Sequence, residues 1–195
     1  GALIRAAVPL SESDALESGE AMLTSDTTVT WDGGKVRGRR VLRLGAIELS
    51  STPVRPDPVR ARHVALEAVR SGGLDVASLT KNGESLRRRL ALAHRVFGDP
   101  WPDVSDEALL ARAEEWLDLD ALAAGRGSDA TSGLRGLLGW RESARLDEVV
   151  PETITVPSGS RIRIDYPEPG SDTSPVLAVK LQECFGWADG PTVCD

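Results

Sequence analysis

Apolar and polar residues alternate at both ends of the 195-residue chain and switch to a helical period in the middle. Residues 3–10 read as a strand closed by Pro9, and 11–18 as a short helix capped by Ser11 or Ser13 and stopped at Gly19. Residues 27–31, TTVTW, are rich in β-branched and aromatic side chains, and Asp32-Gly33-Gly34 supplies the positive-φ residues of a tight hairpin turn. The return strand runs over 35–44, and a third strand follows over 46–54, broken by Pro53 and Pro56. The period then changes. Asp57-Pro58 is a helix start, and the helix that follows carries Val59, Leu66 and Val69 on one side. A second helix begins near Thr80 and ends before Gly98, with Leu86, Leu90, Ala93 and Phe97 on its buried face. Ser105 caps a third, whose stripe is Leu109, Ala113, Trp116 and Leu117. Residues 119–131, rich in Ala, Gly and Ser, read as a mobile link. Leu134, Leu137, Leu138 and Trp140 form a short fourth helix, and 141–150 extend it or make a fifth before Pro151. From 153 to 193 the period returns to two: Ile154 and Val156, a Pro157-Ser158-Gly159 turn, Ile162 and Ile164, a polar break at 167–175, then the apolar run 176–179.

Neither strand-rich end has enough strands to close a small barrel alone. The expected fold is therefore α+β: an antiparallel barrel built from residues 1–56 and 151–195, interrupted by a helical insertion over 57–150. The opening Gly1-Ala2-Leu3-Ile4 and the ending Cys194-Asp195 read as cuts within a longer polypeptide.

Composition adds a few constraints. Hydrophobic residues make up 41% and charged residues 27%, which is ordinary for a globular chain, and no apolar run approaches the roughly 20 residues of a membrane span. Cys184 and Cys194 are too few for a disulfide scaffold, and the two His are remote from them, so no zinc site is expected and a reducing cytoplasm fits best. The net charge of −7 argues against a protein that coats nucleic acid over its whole surface but leaves room for a local basic strip.

Such a strip exists. Lys35, Arg37, Arg39, Arg40 and Arg43 make the return strand the densest positive stretch of the chain, and Arg161 and Arg163 repeat the pattern near its end. Alternate basic side chains on a barrel hairpin fit phosphate binding; they equally fit a charged, solubilising sheet edge. Pairing of the two segments would put both sets on one face and favour nucleic acid. Trp31 would stack on a base if exposed, but an average Trp is buried, so filling the space beneath the hairpin is the favoured role. The consecutive Arg87, Arg88 and Arg89 fan around a helix and read mostly as a solvated face. Catalytic chemistry is thin: there is no phosphate-binding loop, since Gly133-Leu134-Arg135-Gly136 lacks its Lys and Ser/Thr, and no HExxH. His63 and His94 have no nucleophile or acid at an interpretable spacing. Glu114-Glu115 with Asp118 and Asp120 read as a solvated helix end, and Cys184 as a small core residue.

Pro157-Ser158-Gly159-Ser160, then Arg161, Ile162, Ile164 and Tyr166, then Leu177-Ala178-Val179-Lys180-Leu181-Gln182-Glu183 with Phe185-Gly186, resemble the C-terminal half of bacterial ATP-dependent RNA helicases of the HrpB type. These belong to the DEAH/RHA group of superfamily 2. Thr27, Val29, Trp31 and Asp32, with Arg39-Arg40 ahead of Leu42, Leu44 and Gly45, look like the family's hairpin. Trp101-Pro102, Val104 and Asp106-Glu107, then residues 134–138 with Trp140, and Arg145-Leu146-Asp147 look like its helical portion. The resemblance implies that the two motor domains, which bind ATP and magnesium, lie outside this chain, as do the winged-helix and ratchet-like helical domains and the family's final portion. It makes this chain an OB-like region with a helical insertion and no bound cofactor. The implied partners are single-stranded RNA and the motor and helical domains of the same full-length polypeptide. The acidic balance keeps a pure docking platform as the alternative.

Overall fold

The computed structural model describes residues 9, 11, 13, 19, 22–127, 130–187 and 189–194. The strand expected at 3–10 and the helix at 11–18 lie outside these, apart from Pro9, Ser11 and Ser13. The first sheet is an antiparallel meander of β1 (Leu23–Asp32), β2 (Lys35–Leu44) and β3 (Ile47–Val54). Its first hairpin turns through Gly33 and Gly34, at φ +57° and +78°, and pairs Trp31 with Val36. Both residues sit in the left-handed region that twists in register with the flanking strands.

Eight helices among the described residues follow: α1 (Pro58–Gly72), α2 (Leu74–Ala77), α3 (Lys81–Phe97), α4 (Asp106–Ala111), α5 (Ala113–Trp116), α6 (Leu119–Ala123), α7 (Ala130–Gly136) and α8 (Trp140–Val149). Their starts are fixed by local chemistry. The Asp57 carboxylate accepts from the Arg60 amide at 3.0 Å, the Thr80 hydroxyl from Gly83 at 3.2 Å, Ser105 from Ala108 at 3.3 Å and Asp118 from Ala121 at 2.9 Å. The supposedly mobile 119–131 link instead contains α6 and the start of α7, held by the buried Ala121, Leu122 and Ala130. Composition misled here, because short Ala-rich turns become helix when they have a core to cover.

The second sheet is β4 (Thr153–Thr155), β5 (Arg161–Asp165) and β6 (Val176–Leu177), again antiparallel in chain order. Beyond β6 the chain forms a 3₁₀ turn over Leu181–Cys184, so only two residues of the expected apolar run pair as strand. Among the described residues no ladder joins the two sheets, and the barrel expected to close across the helices does not close there. Each sheet satisfies its backbone within a local meander and packs separately on the helices.

Helix α3 is the axis of the core. Leu86, Leu90 and Ala93 meet Leu109 of α4, Trp116 of α5, Leu134 of α7 and Leu146 and Val149 of α8 in one buried cluster. The cluster takes in Val36 of β2 and Ile164 and Tyr166 at β5, so both sheets anchor on it. The α5–α7 contact depends on Gly133: a Cβ there would fall 1.7 Å from the Trp116 carbonyl oxygen. Two expected core residues are exposed instead. Val59 lies on the outer side of α1, and Phe97 lies at the open end of α3.

Candidate nucleic-acid interface

The basic strand β2 keeps the alternation expected of a half-buried strand over its first half. Lys35, Arg37 and Arg39 are exposed, while Val36 and Gly38 are buried. At Arg40 the pattern breaks: it is exposed although the period of two puts it on the face of Val36, which packs into the core. Arg39 and Arg40 therefore point to opposite faces of the ladder. Two of the other side chains are engaged: Arg37 Nε contacts the Asp32 carboxylate at 2.8 Å and Arg43 reaches Glu48 at 3.8 Å. Arg39 and Arg40 have no ion-pair partner among the described residues. Trp31 is half-buried and packs against the core cluster beneath the hairpin, the role favoured over stacking.

No ladder among the described residues joins the strand of the second basic pair to that of the first. Arg161 donates to the Thr153 hydroxyl at 3.3 Å on the neighbouring strand. Arg163 donates to the Ser85 hydroxyl of α3 at 2.9 Å and contacts Glu152 at 3.0 Å. Between α3 and β5 lies a cavity of about 500 Å³ lined by Ser85, Arg88, Arg163 and Tyr166. Strand β2 contacts α1 and α6, whereas β5 bonds to α3, so the arginines of the two sheets serve different helices.

The most consequential arginines are ones whose sequence pattern suggested solvent. Arg87, Arg88 and Arg89 leave α3 in three directions. Arg87 is buried; its Nε donates to the Val104 carbonyl at 2.9 Å and its guanidinium pairs with Asp106, tying down the start of α4. Arg89, also buried, donates from Nε to the Val150 carbonyl at 2.6 Å and pairs with Asp147, closing the end of α8. Arg88 reaches Asp165 at 3.8 Å and Glu168, and Arg95, two turns on, donates to the carbonyls of Ser171 and Thr173, the latter at 3.0 Å. The solvated reading of the triplet fails because one helix packs on three neighbours, so every direction of the fan meets protein.

The acidic candidates are engaged as well. Asp120 accepts from Arg62 Nε at 2.7 Å, and that bond holds its carboxyl below the usual range. Asp118 caps α6, and Glu114 contacts Arg70 at 3.2 Å. The Asp103 carboxyl is held low by the Ser105 amide, which it accepts at 2.8 Å. His63 is exposed, and His94 Nδ1 lies 2.7 Å from the Trp101 carbonyl. Cys184 is only half-buried, in the 3₁₀ turn and outside the core cluster. Among the described residues no three His, Cys, Asp or Glu side chains gather to hold a metal ion, and no helix is long and apolar enough to cross a membrane. Residues 133–136 are no phosphate cradle: they lie in α7, with Gly133 pressed on Trp116.

Two apolar surfaces were not foreseen. In the 3₁₀ turn, Leu181 is 77% exposed and Phe185 just beyond it 70%. At the start of α8, Trp140 is 85% exposed. The sequence held a signal for the latter, since Trp140 falls off the Leu146–Val149–Val150 stripe at helical spacing.

Residues 113–195 match a family described as ATP-dependent helicase C-terminal. The ATP-dependent RNA helicase HrpB of Escherichia coli (strain K12) is 37% identical over 181 residues, which cover 88% of this chain and 22% of that protein. Two crystal structures of the E. coli protein, one described as a DExH-box NTPase and the other as a DEAH/RHA helicase, superpose with a TM-score of 0.64 each. They are 34% and 37% identical, covering 96% and 89% of this chain and 24% and 23% of theirs. The chain thus spans less than a quarter of the length of the relatives it matches.

Proposed function

We propose, from the premise that this chain belongs to the HrpB family of ATP-dependent helicases and corresponds to its C-terminal region, that it docks on the ATP-hydrolysing body of an RNA helicase. In that reading it carries no ATP chemistry of its own. ATP and magnesium bind the motor domains elsewhere in the polypeptide, in the cytoplasm, and this region fixes their position relative to RNA. The observation that carries the reading is the exposure of Leu181 and Phe185 within the very segment, 177–186, whose residues resemble the family. These large apolar side chains bury little against the described residues, and such exposed side chains are what an intramolecular docking face presents. The test is co-purification of the 195-residue chain with the remainder of the helicase polypeptide. Association should be lost on substituting L181D with F185D, a change of at least about 100-fold if the two behave as central interface residues. No association of the unsubstituted chain would end the proposal.

A second role has its own support. Arg39 and Arg40, exposed without ion-pair partners among the described residues, are suited to contact the phosphates of single-stranded RNA. Exposed Lys35 would add to them, as would Arg37 and Arg43 once Asp32 and Glu48 are screened. Arg161 and Arg163 contribute least, being bonded within their own sheet and to α3.

A further inference from the structure

The C-terminal end of α3 and the start of α8 enclose a groove of about 550 Å³ lined by Phe97, Pro100, Trp101, Trp140, Ala144 and Val149. Its floor is fixed. Trp101 is buried, with its ring centroid 6.4 Å from that of Phe97, and Val149 belongs to the core. Its rim is not. Trp140 stands in solvent beside Phe97, which is itself exposed, although Trp is a residue whose surface is normally covered. Helix α8 would bury Leu146 and Val149 equally well with any polar residue at 140, so packing among the described residues gives no reason for an indole there.

The charges around the groove select between occupants. Arg145 is 3.7 Å from Glu148 and the Glu142 carboxylate, also on the lining, lies over the Gly139 backbone at the start of α8, while Arg141 is exposed with no ion-pair partner among the described residues. One unpaired arginine on a chain of net charge −7 gives little purchase on an RNA backbone, which needs several phosphate contacts to be held at physiological salt. It suits a protein segment that places an apolar side chain in the groove and a carboxylate on Arg141. The E. coli relative has more than three-quarters of its length outside the matched region, and a segment of such a remainder would meet the groove in cis, at an effective concentration that a separate partner lacks. We infer that this groove receives an apolar, acidic segment of the rest of the helicase polypeptide, with Trp140 as the anchoring residue and Arg141 as its charge partner.

The inference rests on the docking reading above but names a second, separate surface, and the two are separable by hydroxyl-radical footprinting with mass-spectrometric readout. Oxidation rates of Trp140, Leu181 and Phe185 are compared in the isolated 195-residue chain, in the full-length helicase, and in the isolated chain with a single-stranded RNA oligonucleotide. The expected result is at least tenfold protection of Trp140 in the full-length protein and none from RNA. Loss of that protection in full-length R141E, with Leu181 and Phe185 still covered, would tie it to the predicted carboxylate. Protection of Leu181 and Phe185 but not Trp140 overturns this inference and leaves docking standing; protection of none of the three overturns both. Protection of Trp140 by RNA in the isolated chain overturns it in favour of a base-stacking site. W140A is expected to fold normally, because the side chain buries so little.

Discussion

Replacing Arg89 by Met tests whether the α3 arginines act as internal clamps. The Arg89 side chain is 4% exposed, its Nε donates to the Val150 carbonyl at 2.6 Å, and its guanidinium pairs with Asp147, which is 74% exposed. Methionine keeps most of the apolar stem, so little cavity opens. What is lost is a hydrogen bond from a charged donor to a carbonyl on a fully buried residue, about 1.5–3 kcal/mol. The ion pair adds only about 0–1 kcal/mol, because Asp147 recovers its water when its partner goes. R89M should therefore cost about 2–4 kcal/mol. Urea unfolding should show this as a midpoint lowered by roughly 1–2 M at an unchanged slope of about 2 kcal/mol/M. D147N, which leaves the Val150 bond intact, should cost no more than about 1 kcal/mol. R88M should also be mild: its acidic partners are exposed, and its Nε is already buried without a hydrogen-bond partner. If R89M unfolds within about 0.5 kcal/mol of the parent chain, or D147N costs as much as R89M, the carbonyl bond is not what holds α8, and the clamp argument fails.

Two further outcomes follow from the same packing. G133A should destabilise by about 3 kcal/mol or more in the same assay, since α7 must retreat from the Trp116 carbonyl, whereas G136A, with open space at the Cβ position, should be near neutral. Tyr166 is buried with its phenol donating to the Pro151 carbonyl at 2.7 Å, and burial pushes its pKa well above the ordinary value. The raised pKa favours the neutral phenol in the fold, so the contribution is intact below about pH 10 and is lost as pH rises beyond it. Y166F should cost about 0.5–1.5 kcal/mol at pH 7 and lose less than the parent chain between pH 9 and 11; equal alkaline losses would refute the assignment.

The parts of this fold that were legible in the sequence are those decided by neighbours along the chain. Asp57-Pro58, Thr80, Ser105 and Gly33-Gly34 act through their own backbone within four residues, and each does so where expected. The illegible parts are decided by what lies across the core. Nothing in three consecutive arginines says whether the helix carrying them has one neighbour or three. Ala-rich residues 119–131 look loose until Leu109 and Trp116 give them something to cover. Pairing of the two strand-rich ends was inferred from strand count, but a strand count does not say which edges meet, and three-stranded meanders that pack on one helical core need not join. The basic residues of β2 are exposed from Lys35 to Arg40 and half-buried at Arg43, and no ladder among the described residues joins their strand to that of Arg161 and Arg163.

This placement of charge bears on the proposed contact with RNA. Arg87 and Arg89 are buried, and Arg88, Arg95 and Arg163 bond to carbonyls, hydroxyls and carboxylates of the same chain, so five of its 23 basic residues are engaged around α3. The exposed surface keeps an excess of carboxylates with basic residues scattered over it, and its densest basic stretch is the strand that holds Arg39-Arg40. Two arginines neutralise about two phosphates, which gives a weak and strongly salt-dependent contact in free solution. Attached, as proposed, to a helicase already engaged on the strand, the same contact would operate at an effective concentration on the order of millimolar, where weak intrinsic affinity suffices. On the proposed docking, the basic strand of this acidic chain would become useful only once the region is held in place, so the apolar faces at Leu181–Phe185 and Trp140 would act before Arg39 and Arg40.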